Sequence, residues 1–490
     1  MEEIPFGVDF GTTNSSAGFF QFGSSTPRST KLVPSLVCYQ ANRVLVGHSV
    51  KENFTSLCDS PGNLVVKSIK RRFFEDAWQA QVPSGGTVTA HLVAGEILKG
   101  LQQEVQRSVG LPIKRAVLTV PLLFKAEQRR LLRKAAEDAD IDVKAFIHEP
   151  FAALIGAVAE RGDGVYALLD WGGGTLDVTV AKKEDYMVYE LGHRGLSRAG
   201  DDIDRALGDF LLKDSNARIL DGASPSTRDR FLAACEIAKI ELSDYETHKF
   251  HMLLDGGRSF LRELSRAEFE SVSEPIVGEV LETLQEVMNA AQIEDYSLSA
   301  VFLAGGSMQI PLVRKRLEER FGGRVELLER PQERIAEGAA IAAKFGLEPV
   351  LSRPVAVALA EPMGNARTFF PLLERGLPLN DTLRITSELK IACQAGNREA
   401  GNLVLYEGES APSWLCRFER KIAAATIPIV KTNLPANFQD TVRLECRYMG
   451  HDGELVVFAD ARSRNSQQQI PLNDLCYGVD LGPYEKQLVR

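Results

Sequence analysis

The chain has 490 residues, 44% apolar and 25% charged, with a formal net charge of −9. That length holds two or three domains, each with a core of its own. The acidic balance argues against nucleic acid or an anionic membrane as the main partner. Its seven cysteines (Cys38, Cys58, Cys235, Cys393, Cys416, Cys446 and Cys476) include no C-x-x-C pair. Neither a zinc site nor a disulfide framework is expected, and a reducing, cytoplasmic compartment fits best. The opening residues, MEEIPFGVDF, are acidic and lead straight into a strand-like run, which fits no signal peptide. No apolar run reaches membrane-spanning length.

The run FGVDF reads as a buried strand ending at Asp9. A turn follows, Phe10-Gly11-Thr12-Thr13-Asn14, and then a second apolar run, SSAGFF, so the segment is a candidate hairpin tip. A protein-kinase reading of Asp9-Phe10-Gly11 fails, because the Gly-rich loop, strand lysine and HRD motif have no room upstream. Lys70 lies in KSIKRRFFED. It could offset charge on a transferred phosphoryl group; the plainer reading is a solvated basic run, and Lys67 competes for the role. KRAVLTV (114–120) predicts a strand, FKAEQRRLLRKAAEDAD an amphipathic helix, and VKAFI (143–147) another strand. EPFAALIGAVAE (149–160) opens a helix with proline near its first turn. Glu149 either interacts with that helix N-terminus or orients water or a metal shell.

VYALLD then leads into Asp170-Trp171-Gly172-Gly173-Gly174-Thr175, with Asp177 in the following run LDVTVA, a second hairpin tip. Glycine lets the backbone approach a ligand and turns its N–H groups toward oxygen anions. An aspartate where each strand ends suits hydrated Mg²⁺. Either turn alone is ordinary; the repeated Asp-aromatic-Gly pattern points to an internal duplication. Two such tips facing each other would grip a nucleotide polyphosphate between two lobes.

Helical patterns recur at 199–213, 227–243 and 266–292. Glu236, Lys239 and Ser243 share one helix face, as an exposed polar stripe or as partners for ribose and base. AVFLAGG (300–306) is a strand entering the turn Gly305-Gly306-Ser307, either a plain strand–helix turn or a flat seat for a base. IPLVRKRLEERFGG and ERIAEGAAIAAKFG (333–346) predict helices. After residue 346 the character changes. EPVLSRPVAVALAEP (348–362) reads as a connector merging into a strand, and TLRITSELKIAC, NLVLYEG, DTVRLECRY and GELVVFADAR read as an all-β module. The roughly 20 residues after Ile470 are too few for a helical bundle.

The ordered set VDFGTTNS, AVLTVP–F–QR, HEPFAAL, DWGGGTLDVTV, AGDDID, CEIAKIELS, FLAGGSMQIP and EGAAIAA resembles the 70-kDa heat-shock chaperone family, DnaK type, over residues 4–346. FFPLLERGLPLNDTLRI, NLVLYEGES and DTVRLECRYMGHDGELVVFADAR are similar to its β-sandwich peptide-binding part. The resemblance implies phosphate turns at Gly11, Thr12, Thr13 and Asn14 and at Gly172, Gly173, Gly174 and Thr175, with Gly200 and Asp201 close by. It implies Mg²⁺ held through water by Asp9 and Asp170, with K⁺ as a further candidate cation. Lys70, Glu149, Thr175 and Asp177 would be catalytic, and Pro121 and Arg129 would relay nucleotide state. Glu236, Lys239, Ser243, Gly305, Gly306, Ser307 and Gln309 would hold adenosine. Three positions depart from the pattern: Ile240 and Gln309 replace arginines that flank adenine, and Gln332 replaces an aspartate. The family's acidic-aliphatic linker and helical lid have no counterpart.

The expected architecture is a duplicated, two-lobed, actin-like α/β ATPase domain (1–346), a linker (347–362), a β-sandwich (363–480) and a tail (481–490). The expected activity is slow ATP hydrolysis to ADP and phosphate in a chaperone-like protein that binds extended or unfolded polypeptide, with Phe369, Phe370, Leu403 and Leu405 as pocket candidates or sandwich core. J-domain and nucleotide-exchange co-chaperones are the implied partners. The alternatives are a nucleotide-gated scaffold with one dedicated partner and a small-molecule kinase. The β module and the VP–F–QR segment count against the kinase.

Overall fold

The computed structural model describes residues 4–480 apart from 22, 25, 76, 123, 125, 186, 215–219, 221–223, 255–258, 346–349, 361–366, 381, 395–396, 409–411, 429–438, 450–453, 462–465, 473–474 and 476. The expected tail and the first residues of the expected linker lie outside the described residues. The chain divides into two compact units. Residues 1–163, 181–191 and 332–490 form the first, and 164–180 and 192–331 the second. No helix among the described residues is long and apolar enough to cross a membrane.

In the first unit, Phe6–Asp9 pairs in parallel with Arg115–Val120, which pairs in parallel with Asp142–His148. Val8 lies opposite Leu118, and Leu118 opposite Phe146, so Asp9, Val120 and His148 finish at the same edge. Ligands of parallel sheets collect at such carboxyl ends. Phe6 to Phe10 are buried without alternation, as expected of a strand covered on both faces. One cover is the helix Ala90–Val109, whose Val93, Ile97, Leu98 and Leu101 join Phe6, Val8 and Phe10 in one core.

The other cover is the helix Pro331–Lys344. It reaches the hairpin of Phe6–Asp9 and Asn14–Phe20 where Gly7 faces Gly18. A Cβ on Gly7 would lie 2.2 Å from the Ala340 nitrogen, and one on Gly18 2.0 Å from the Ala336 carbonyl oxygen. The helix Glu149–Val158 meets the same helix as closely: a Cβ on Gly338 would lie 1.8 Å from the Ala152 oxygen.

The rest of the first unit is an antiparallel β region. Its strands run in the order Arg367–Leu373, Val355–Ala360, Asn397–Gly408, Arg384–Gln394, Gln439–Met449, Glu454–Ala461 and Ser466–Leu472, with Phe418–Pro428 also on Asn397–Gly408. Val355–Ala360, within the span expected to be linker, is therefore a strand of this region. Leu403 and Leu405 enter its main core, while Val404 and Tyr406 join a smaller cluster, as side chains alternating across a sheet must.

The second unit holds the parallel strands Val325–Leu327, Leu298–Ala304 and Gly164–Trp171, with the first five residues of the strand Leu176–Glu184 next in order. Its helices are Gly200–Asp214, Pro225–Asp244, Arg266–Ala291 and Pro311–Phe321. The long third helix opens on a capping box, Ser265 with Glu268.

Gly338→Ala should overpack a backbone contact and cost about 1–3 kcal/mol or more. Gly278→Ala, in a helix where an added Cβ meets nothing within 4 Å, should be neutral or stabilising by about 0.5–1 kcal/mol. Denaturant unfolding of both variants checks the contrast.

Candidate functional site

The first candidate turn sits at the carboxyl edge of the parallel strands in the first unit. Asp9 is buried, and the Thr119 hydroxyl donates to its Oδ1 at 2.9 Å. Gly11 has no room for a side chain: a Cβ would lie 2.0 Å from the Asn14 carbonyl oxygen. Ser35 ties the turn down, its hydroxyl donating to Gly11 O at 2.8 Å and its backbone N–H to Thr13 O at 2.8 Å. Thr12 is half-buried and Thr13 exposed, so both flank a fixed turn that faces solvent. Asn14 donates to Gln332 at 3.4 Å.

Lys70 and Glu149 belong to this edge. Lys70 lies on the short helix Ile69–Arg72 after Ser68, whose φ of 55° turns the chain sharply. Its side chain is only 4% exposed, and its Nζ donates to Glu149 Oε1. The reading of Lys70 as part of a solvated basic run therefore fails, while Lys67 is exposed. Glu149 is placed by the strand Asp142–His148 and begins the next helix. Beside it, His148 Nδ1 lies 3.9 Å from the carboxylate of Glu190, which is fully buried. Pro121 accepts a hydrogen bond from Phe124 N–H, and the buried Arg129 donates to Phe124 O at 3.1 Å.

The second candidate turn lies in the second unit. Asp170 is near the end of Gly164–Trp171, and the turn Gly172–Thr175 is closed by Gly172 N–H donating to Thr175 O at 3.0 Å. Gly173 and Thr175 are exposed, Gly172 and Gly174 half-buried. The Thr175 hydroxyl donates to Asp177 at 3.2 Å. The helix Gly200–Asp214 docks its N-terminus on this turn: Gly200 N–H donates to Gly172 O and Asp201 N–H to Gly173 O. Ser307 donates to Gly172 O at 2.8 Å. Gly305 has φ +87°, and a Cβ there would lie 2.3 Å from the Trp171 oxygen, so the turn closes directly on the neighbouring strand. Gly306 is exposed.

The expected adenosine stripe divides. Glu236 is exposed, Ser243 donates back to Lys239 O, and Lys239 is buried, donating to Asp204 at 2.8 Å and to Gly200 O at 3.2 Å. Asp204 was not singled out from sequence. Only the helix pairing brings it to a lysine 35 positions away.

A family model for the Hsp70 protein matches residues 5–357. The chain is 26% identical to the chaperone protein HscA homolog of Colwellia psychrerythraea over 97% of this chain and 78% of that protein. It is 27% identical to chaperone protein HscA of Klebsiella pneumoniae over 98% and 80%. To chaperone protein DnaK of Psychrobacter cryohalolentis it is 30% identical over 68% and 57%.

The chain belongs to the Hsp70 family. It is a chaperone of an ATP-binding, ATP-hydrolysing type. Against the Hsp70 pattern, Ile240 and Gln309 are both exposed, and Gln332 stands beside the first turn through Asn14. The peptide-pocket candidates need correcting. Leu403 and Leu405 are 1% and 0% exposed within the core of the β region, so neither lines an open pocket, and Phe370 is half-buried against that core. Phe369 instead joins Tyr406 and Phe418 in the smaller cluster, with ring centroids 5.3 and 5.2 Å away.

Burial pushes the Asp204 carboxyl up to about 6, against the pull of Lys239. A pKa raised in the fold contributes stability below the unfolded value of about 4 that is lost as pH rises through about 6. Lys239→Met removes the opposing cation, so the titration should move higher still. Carboxyl-carbon NMR titration checks both; a wild-type value near 4 rejects this account of the pair.

Proposed function

We propose that this Hsp70-family chain hydrolyses ATP with Lys70 and Glu149 and binds extended polypeptide on its β region. The observation that carries the reading is the buried Lys70–Glu149 pair at the carboxyl edge of the strands bearing Asp9. A lysine withdrawn from solvent in a run of exposed basic neighbours has a use other than solubility. Its ammonium would stabilise charge developing on the γ-phosphoryl group while Glu149 holds the attacking water in line. Backbone N–H groups of the Gly11–Thr13 and Gly172–Thr175 turns would bind phosphate oxygens. In the first of these turns Gly11 is held open by a backbone contact that leaves no room for a side chain.

Asp9 and Asp170, with the threonine hydroxyls of the turns, offer oxygen donors, which fit a hard ion such as Mg²⁺. Asp9 and Asp170 would hold it through water. When bound, that ion supplies charge neutralisation along the polyphosphate. Lys239, Ser243, Gly305 and Ser307 would border the adenosine. In this reading residues 1–346 are the two-lobed, actin-like ATPase, and the β region up to 480 is the peptide-binding part. Extended peptide would be held by backbone hydrogen bonds and apolar contacts, with Phe369 and Phe370 as the remaining candidates. J-domain and nucleotide-exchange co-chaperones are the partners this reading implies.

Lys70→Ala should lower ATP turnover by orders of magnitude with ATP binding largely kept, because the charge is needed most in the transition state. Lys67→Ala should be mild. Single-turnover hydrolysis alongside calorimetric binding separates the two effects, and the reverse pattern would overturn the assignment. Gln309→Arg should tighten ATP binding, since a guanidinium stacked on the base adds roughly 0.5–2 kcal/mol. Titration of the folded variant reads this out.

A further inference from the structure

We propose that Tyr477–Asp480 is a clasp strand that holds the β region on the edge of the α/β strand Met187–Leu196. Its chain position follows the last core strand of the β region, Ser466–Leu472, and Leu475 between them is fully buried in that core. From there the chain leaves its own sheet. Val479 pairs antiparallel with Val188, Gly478 with Tyr189 and Asp480 with Met187. Its other edge takes the segment that leads into the β region: Gly478 pairs with Val350 and Tyr477 with Leu351.

The clasp thus lies between two stretches of the first unit. Main-chain pairing of this kind adds a strand to an open edge with little demand on side-chain identity. One position does demand an identity. A Cβ on Gly478 would lie 2.7 Å from the Tyr189 ring and 2.9 Å from Val350 Cγ2, so any other residue forces one of these side chains to move.

The neighbouring contacts converge on the same joint. Leu351, Ser352 and Arg353 are 0%, 0% and 2% exposed, so this segment is packed and not a loose tether. Ser352 donates to the Glu190 carbonyl oxygen at 2.6 Å. Gly408 N–H donates to Pro354 O at 2.8 Å, which fixes the segment to the β region. Arg375 stacks on Tyr189 at 4.4 Å and lies 3.7 Å from Glu184, an ion pair too exposed to contribute much. Backbone pairing and burial carry the joint. The clasp sets its resting state: the β region parts from Met187–Tyr189 only when Tyr477–Asp480 leaves the edge.

The test uses the full chain, Gly478→Val, and a variant ending at Leu475. Amide hydrogen exchange is followed at Met187–Tyr189, at Val350–Leu351, and in the core strand Glu454–Ala461 as an internal control of folding. Both variants should speed exchange at the first two sites by roughly tenfold or more while the control stays protected. Protease cleavage between residues 346 and 354 should rise in parallel. Unchanged protection at Met187–Tyr189 in both variants overturns the proposal. So does equal loss of protection in Glu454–Ala461, which would make the strand part of the β region's own fold.

Discussion

Backbone packed directly on backbone is the constraint on which the first unit depends. The helix Pro331–Lys344 lies on the first hairpin where Gly7 and Gly18 face each other, and meets the helix Glu149–Val158 at Gly338. A single methyl at any of these positions would collide with main chain, which cannot rotate away as a side chain can. The same helix therefore positions the hairpin tip with Asp9 and Thr12 and the helix that begins with Glu149. Site geometry here is inherited from interatomic contact along three small residues.

Charge enters that frame in two buried pairs with different surroundings. Lys70 and Glu149 meet at the open edge of a sheet, where the glutamate keeps 21% exposure and can reach solvent or ligand. Lys239 and Asp204 meet between packed helices, both nearly covered, and burial there outweighs attraction in setting the Asp204 titration. The first pair is suited to act on something that arrives. The second is suited to hold the helix Pro225–Asp244 against the helix Gly200–Asp214, beside Gly200 and the glycine turn.

The strands and helices of the α/β part were largely legible in the sequence because their signals are local. An apolar run stopped by Asp-Phe-Gly-Thr or Asp-Trp-Gly-Gly marks its own end, and the helices at Gly200–Asp214 and Arg266–Ala291 follow from periodicity and flanking caps. What was not legible depends on pairing at a distance. Asp204 carries no mark that distinguishes it from its acidic neighbours until Lys239 is brought alongside. Leu403 and Leu405 look as suitable for a pocket as for a core, and only strand order buries them. Tyr-Gly-Val-Asp, after Ile470, is too short to show alternation, so its strand could not be read.

That short strand has a consequence for how the molecule is made. Its partner Met187–Tyr189 leaves the ribosome some 290 residues earlier, which at roughly 5–20 residues per second is about 15–60 s of synthesis. Throughout that interval the sheet edge it will cover stands open, with unpaired main-chain groups able to accept a strand from any neighbouring chain. A protein of a chaperone family thus carries, during its own birth, the kind of exposed edge on which misassembly begins.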